Sequence, residues 1–172
     1  WNFPINLVFG PLISAIAAGN TVIIKPSEFT PHTSALAKEI IDAIFNENEV
    51  ALVNGGIETS SALLAERFDH IFFTGSPRVG KIVMRAAAEN LSSITLELGG
   101  KSPTIIDKSA NIKLAVKKIV AGKFTNAGQA CISHDYIFVH RSKRDEFLNE
   151  LKSKIESVFG KNASQSESYA RI

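Results

Sequence analysis

A single cysteine, Cys131, lies in the run Phe124-Thr125-Asn126-Ala127-Gly128-Gln129-Ala130-Cys131-Ile132-Ser133, so no disulfide can form within the chain. The thiolate is the reactive form of cysteine, and an unperturbed thiol titrates near about pH 8.5, so a nucleophilic cysteine needs help to ionise. The turn containing Gly128, just before the cysteine and near the N-terminus of a possible helix, offers such help. A buried, inert cysteine is the plainer alternative. Upstream, Glu97 sits between Leu96 and Leu98 and is followed by Gly99-Gly100. Desolvation there makes a carboxylate a stronger base, which suits proton abstraction from water. A strand-end carboxylate paired with a lysine is the competing reading. Asn2 offers an amide N–H that cannot be lost, the kind of donor a developing oxyanion needs. By itself an Asn in that place reads as a cap or turn residue.

These groups need elements to position them. Thr21–Ile24 is short and β-branched and runs into Lys25-Pro26, the pattern of a strand ending in a loop. Further strands are expected at Val50–Val53, His70–Phe73 and Ser93–Leu98. Between them lie helical patterns: Thr33–Phe45 with Leu36, Ile40, Ile41 and Ile44 inward, Glu58–Phe68 with Leu63 and Leu64 inward, and Arg78–Asn90 with Val79, Ile82, Val83 and Ala86 inward. Apolar strands alternating with amphipathic helices imply an α/β fold with a doubly wound parallel sheet, whose ligands sit beyond the carboxyl ends of the strands. Lys25, Gly75 and Glu97 all fall at such ends. After Gly99 the pattern restarts with a strand over Ser102–Asp107, a helix over Ala110–Phe124, a strand over Tyr136–Val139 and a helix over Lys143–Phe159. That helix should bury Phe147, Leu148, Leu151, Ile155, Val158 and Phe159. A boundary therefore falls near Gly99, with residues 1–98 and 99–172 as separate domains. The polar tail, Gly160–Ile172, is expected to fray.

Composition narrows the function classes. The chain of 172 residues is 45% hydrophobic and 21% charged, with 19 basic and 17 acidic residues interleaved, so it carries no nucleic-acid footprint. One cysteine suits a reducing compartment, and a cytoplasmic location is expected. The four histidines, His32, His70, His134 and His140, are scattered, and no Cys/His spacing suggests a metal. The uncharged segment Trp1–Ile24 holds Pro4, Pro11, Gly10, Gly19 and three asparagines, which argues for buried loop, helix and strand rather than a membrane span. Gly75–Lys81 fits G-x-x-x-x-G-K, but the next residue is Ile82, where a magnesium-binding Ser or Thr would be required. That substitution, and the lack of an evident strand ending in a second acidic ligand, argue against an ATP-hydrolysing P-loop.

Three runs, Trp1-Asn2-Phe3-Pro4, Leu96-Glu97-Leu98-Gly99-Gly100-Lys101-Ser102-Pro103 and Gly128-Gln129-Ala130-Cys131, together resemble the aldehyde dehydrogenase superfamily. The resemblance covers essentially the whole chain, but only the middle of a family member, and is most like the class 3 (fatty and aromatic aldehyde) branch. His134 departs from the proline expected there. The resemblance implies Cys131 as nucleophile, Glu97 as base and Asn2, with the backbone N–H of Cys131, as oxyanion donor. It places Lys25, Ser27 and Glu28 beside the adenosine ribose of NAD, with NADP possible, and Gly75, Ser76, Gly80 and Leu98 along the rest of the cofactor. It makes residues 1–98 a partial NAD(P)-binding domain and 99–172 the start of the catalytic domain. The implied activity is oxidation of an aldehyde to a carboxylic acid through a thiohemiacetal and a thioester, in a parent that is a homo-oligomer, a dimer by expectation. Two other readings compete: a CoA-acylating relative, which usually lacks the base, and a non-catalytic nucleotide-binding or structural fragment.

Overall fold

A computed structural model describes the chain from Trp1 to Ala170. Its elements run α1 (Pro4–Ala17), β1 (Val22–Ile24), α2 (Pro31–Ile44), β2 (Val50–Leu52), α3 (Ile57–Ala65), β3 (His70–Gly75), α4 (Pro77–Glu89), β4 (Ser93–Leu98), β5 (Ser102–Ile106), α5 (Ile112–Phe124), β6 (His134–Val139) and α6 (Arg144–Phe159). The alternation builds three βαβ units. β1 pairs with β2, β3 with β4 and β5 with β6, each pair parallel and each joined through one helix. The parallel α/β class follows directly. The hydrogen-bonded ladders run as separate two-stranded sheets.

Local chemistry explains where the helices begin. α1, α2 and α4 each start on a proline, whose missing N–H costs nothing in the first turn. Ser76 caps α4 by accepting from the Val79 amide, and Asn111 caps α5 by accepting from the Leu114 amide. Asp145 and Glu146 in the first turn of α6 suit the positive end of its dipole. Among the described residues no helix is long and apolar enough to cross a membrane.

The chain divides into two compact units. One holds Trp1 and Phe3–Leu98, and the other holds Asn2 and the chain from Gly99 onward. In the first, Leu12, Ala37, Ile41, Val50 and Leu52 form the core between α1, α2 and the first strand pair. In the second, Ile106, Ile112, Val116, Ile119, Val120, Phe147 and Phe159 form a larger one. Burying each such side chain contributes about 1.5–3 kcal/mol.

Several expected core faces are displaced. α2 buries Ser34, Ala37 and Ile41, while Leu36 is 51% and Ile44 65% exposed. α4 buries Gly80, Val83 and Ala87 and leaves Ile82 half exposed. The small residues mark where these helices press closest, so the large ones beside them are turned out. α3 ends at Ala65, before Phe68, and Leu63 and Leu64 are only half-buried. α1, expected to be buried, covers only Val8 and Leu12 and exposes Ile13 at 68%. In α6, Leu148 and Val158 lie at the margin, while Phe147 and Phe159 are buried. The tail is not frayed as far as Tyr169, which packs edge-on against Phe124 and Phe159. Its last two positions, Arg171 and Ile172, lie outside the described residues.

Candidate active site

In the first unit, two groups of candidate residues stand at the carboxyl ends of strand pairs. Lys25 directly follows β1. Its Nζ donates to the carbonyls of Pro26 at 2.6 Å and Gly55 at 2.8 Å and pairs with Glu28 at 3.5 Å. The lysine thus links the loop after β1 to the loop after β2. The Ser27 carbonyl accepts from the Ser34 hydroxyl, and Ser27 Oγ accepts from the Phe29 amide, which fixes the turn carrying Glu28. The Glu28 carboxyl is held below the ordinary carboxylate range, chiefly by a hydrogen bond from its own backbone N–H; burial opposes this, and the charge and hydrogen bond of Lys25 add to the lowering. It is therefore an anion at neutral pH, able to accept from hydroxyl groups.

The second group closes β3 and β4. Thr74 stands opposite Glu97, and Gly75 opposite Leu98, in the parallel register. Ser76 begins α4, and one turn later Gly80 meets the end of β4. A Cβ on Gly80 would lie 3.2 Å from Leu98 Cδ2, so the glycine lets α4 sit tightly on the strand. Gly75, Ser76, Gly80, Glu97 and Leu98 are thereby gathered at one end of one βαβ unit. Glu97 is half-buried and takes part in no ion pair among the described residues. The lysine of its own motif, Lys101, pairs instead with Asp135 at 3.3 Å. The lysine-paired alternative for Glu97 therefore falls away.

In the second unit, Cys131 is half-buried in the loop between α5 and β6. The expectation of a helix N-terminus beside it is not met: the chain goes from a turn at Cys131-Ile132 into β6, which starts at His134, two residues earlier than its sequence pattern suggests. No helix dipole is available to the thiol from that side. The loop is held by other means. Asn126, Ala127 and Gly128 take φ of 50°, 54° and 81°, three left-handed residues in succession. For Ala127 that conformation costs about 1–2 kcal/mol. Gly128 is required where it is, since a Cβ there would come within 3.0 Å of the Lys123 carbonyl.

Side-chain amides pin this loop to Asn2. Asn2 Nδ2 donates to the Gln129 carbonyl at 2.6 Å. Asn126 Nδ2 donates to the Asn2 carbonyl at 3.1 Å and to the Gln129 carbonyl at 3.3 Å. Gln129 Nε2 returns a bond to the Asn126 carbonyl at 3.0 Å. From the other side Gly100 closes in: a Cβ on it would lie 2.5 Å from the main-chain oxygen of Cys131. The second glycine of the Gly99-Gly100 pair thus admits the loop carrying Cys131 against the strand start. His134 ties β6 to β5 through Thr104, with 2.7 Å between Nδ1 and the hydroxyl, and its ring lies against Gly122 of α5.

The sequence pointed to Cys131, Glu97 and Asn2 by type and motif. It did not single out Asn126, Gln129, Gly100 or His134 as parts of the site. Asn126 and Gly128 are residue types that tolerate left-handed backbone, which is a local hint, but Ala127 between them is not. Among the described residues no group of three or more His, Cys, Asp or Glu side chains could hold a metal ion.

The profile of the aldehyde dehydrogenase family matches residues 1–169. The 4,4'-diaponeurosporen-aldehyde dehydrogenase of Staphylococcus aureus is 52% identical over all of this chain and 38% of its own length. The dimeric NADP-preferring aldehyde dehydrogenase of Rattus norvegicus is 45% identical over all of this chain and 38% of its own length. The substrate-bound AldH of Staphylococcus aureus superposes with a TM-score of 0.94 at 51% identity, over 100% of this chain and 38% of that one. The Mycobacterium tuberculosis aldehyde dehydrogenase complexed with NAD+ superposes with a TM-score of 0.83 at 37% identity, over 92% of this chain and 33% of that one. The chain thus spans 38% of the length of either curated relative.

Proposed function

The chain belongs to the aldehyde dehydrogenase family, and from that premise we propose that the full-length protein oxidises an aldehyde to a carboxylic acid with NAD, or NADP, as cofactor. The observation that carries the proposal is the tie between Asn2 and the Gln129 carbonyl, which sets an amide donor on the main chain two residues before Cys131.

The residues fit a dinucleotide. Glu28, ionised and turned toward solvent, is suited to accept from the two ribose hydroxyls and disfavours a 2′-phosphate. Gly75 and Ser76 at the start of α4 suit a phosphate, which helix N-termini attract. Gly80 and Leu98 support that turn from below. When bound, the cofactor supplies the hydride acceptor. Cys131 thiolate adds to the aldehyde carbon, forming a C–S bond and an oxyanion. The second N–H of Asn2 and the backbone N–H of Cys131 stabilise that charge. Once the carbon is oxidised to the thioester level, Glu97 takes a proton from water as its oxygen attacks the acyl carbon. The C–S bond breaks, the acid departs and the thiolate is restored. The presence of Glu97, the base that CoA-acylating relatives usually lack, favours water over CoA as acyl acceptor. A dimer is the proposed assembly, supported by the dimeric relative at 45% identity.

Cys131→Ala in the full-length protein should abolish aldehyde-dependent NAD reduction, a loss of at least about three orders of magnitude, while calorimetric NAD binding persists. Retention of activity would remove Cys131 from its role. Product analysis with and without CoA separates hydrolysis from acyl transfer.

A further inference from the structure

We propose that Asn126 is the positioning residue of the oxyanion pocket: its left-handed backbone and side-chain amide fix residue 2 against the main chain that leads to Cys131. The inference rests on the reading of Cys131 as nucleophile and Asn2 as oxyanion donor.

Strained backbone persists only where its surroundings hold it. Around Asn126 (φ 50°, ψ 39°) the holding groups are explicit. Its carbonyl accepts from both the backbone amide of Gln129 and Gln129 Nε2, each at 3.0 Å. Its Nδ2 reaches the main-chain oxygen of Asn2 and the carbonyl of Gln129. That same Gln129 carbonyl accepts from Asn2 Nδ2. One acceptor therefore gathers both carboxamides, and a bond links residues 124 positions apart in sequence. A primary amide has two N–H groups. Asn2 commits one to Gln129 and keeps the second for the substrate oxygen. Asn126 grips the main chain of residue 2, not its side chain, so it sets where the donor stands without itself touching the substrate. Asn126 Nδ2 therefore holds the main chain of residue 2, while the Asn2 side chain is held separately at the Gln129 carbonyl.

Asn126→Gly in the full-length protein keeps left-handed backbone accessible and removes only the amide. Its kcat should fall at least about tenfold, within the hundredfold or more that loss of an oxyanion donor costs, with the aldehyde KM within about threefold of the parent value. Asn126→Asp, of the same shape but with no N–H, should behave alike. Alkylation of Cys131 by iodoacetamide, which needs no oxyanion donor, should keep the parent rate in both. The decisive comparison is with Asn2→Ala, which retains the main-chain oxygen that Asn126 grips but has no donor left to position. Adding Asn126→Gly to Asn2→Ala should lower kcat by less than about twofold, the non-additivity of coupled residues. Full multiplication of the two single effects overturns the inference and leaves nucleophile and donor standing. An alkylation rate that falls in step with kcat also overturns it, because Asn126 then holds the loop as a whole. An Asn2→Ala variant with parental kcat overturns the underlying reading of Asn2, a separate failure.

Discussion

The turn from β3 into α4 and the loop from α5 into β6 both carry candidate functional residues beside the end of a strand or helix, yet they are built in opposite ways. At the first, Gly75, Ser76 and Pro77 obey local rules: Ser76 caps, Pro77 opens the helix, and no residue of the turn has positive φ. At the second, three residues are left-handed and the loop is held by amides from Asn2, Asn126 and Gln129. A surface that receives a cofactor can be made from the regular ends of elements, because the helix terminus already supplies the donors. A nucleophile that must meet a donor from a distant part of the chain needs a main chain bent off its preferred path. On the proposed function, the difference teaches that binding would be assigned to relaxed backbone and reactivity to strained backbone held from outside.

The sharpest test of that contrast sets two glycines against each other. A Cβ on Gly100 would meet the main-chain oxygen of Cys131 at 2.5 Å, whereas one on Gly80 would meet the end of the Leu98 side chain at 3.2 Å. Main chain in a braced loop cannot yield cheaply, and a leucine methyl can rotate. Gly100→Ala should therefore lower kcat by about a hundredfold, the effect of misplacing reacting groups by an ångström or so. Gly80→Ala should leave kcat within about threefold and raise the NAD dissociation constant only severalfold, a cost near 1 kcal/mol for mild overpacking. Steady-state kinetics and NAD titration on the two variants read both effects. Equal damage from the two would erase the distinction between the regions.

A smaller effect should separate stability from activity inside the strained loop. Ala127→Gly removes the left-handed penalty of about 1–2 kcal/mol and adds back about 0.5–1 kcal/mol of unfolded-state entropy. The net expectation is a gain of up to about 1 kcal/mol in urea unfolding. Gly128→Ala should lose at least that much, because it combines a φ of 81° with a Cβ 3.0 Å from the Lys123 carbonyl. If Ala127→Gly destabilises instead, the strain at that position is compensated by contacts of the methyl group, and the loop is better packed than its dihedrals suggest.

Legibility in the sequence follows the same division. The βαβ order could be read because strands and helices differ in period, and α4 begins at Pro77, one residue before its expected start, because Ser-Pro is a local signal. The buried faces of α2 and α4 were read correctly at Ile41 and Val83 but wrongly beside them, because hydrophobic size favours Leu36, Ile44 and Ile82, whereas close packing selects Ser34, Ala37 and Gly80. Cys131 and Glu97 stood out by residue type. The helix expected beside Cys131 did not form, and the amide network did not announce itself. Its partners Asn2 and Gln129 are 127 positions apart, and no local pattern encodes that meeting.

The smallest expected effect concerns Glu28 on the relaxed side. Its carboxyl is held below the ordinary range chiefly by its backbone N–H, with burial opposing and Lys25 adding to the lowering. A depressed carboxyl stabilises the fold at pH values above its unfolded value of about 4.3, and the contribution disappears as pH falls through the lowered folded value. The Glu28 side chain is 39% exposed, so solvent screening keeps the contribution below about 0.5 kcal/mol. The Glu28→Gln variant should accordingly be less stable than the parent by that small amount at neutral pH, lose stability slightly less steeply below about pH 4.3, and converge on the parent in acid. The same substitution should shift cofactor preference severalfold toward NADP, since the repulsion of a 2′-phosphate is removed. That shift should be constant from about pH 6 to 8, where Glu28 stays ionised. A preference that varies across this range would mean that another titrating group faces the ribose, and the relaxed turn would then share the reactive loop's dependence on distant parts of the chain.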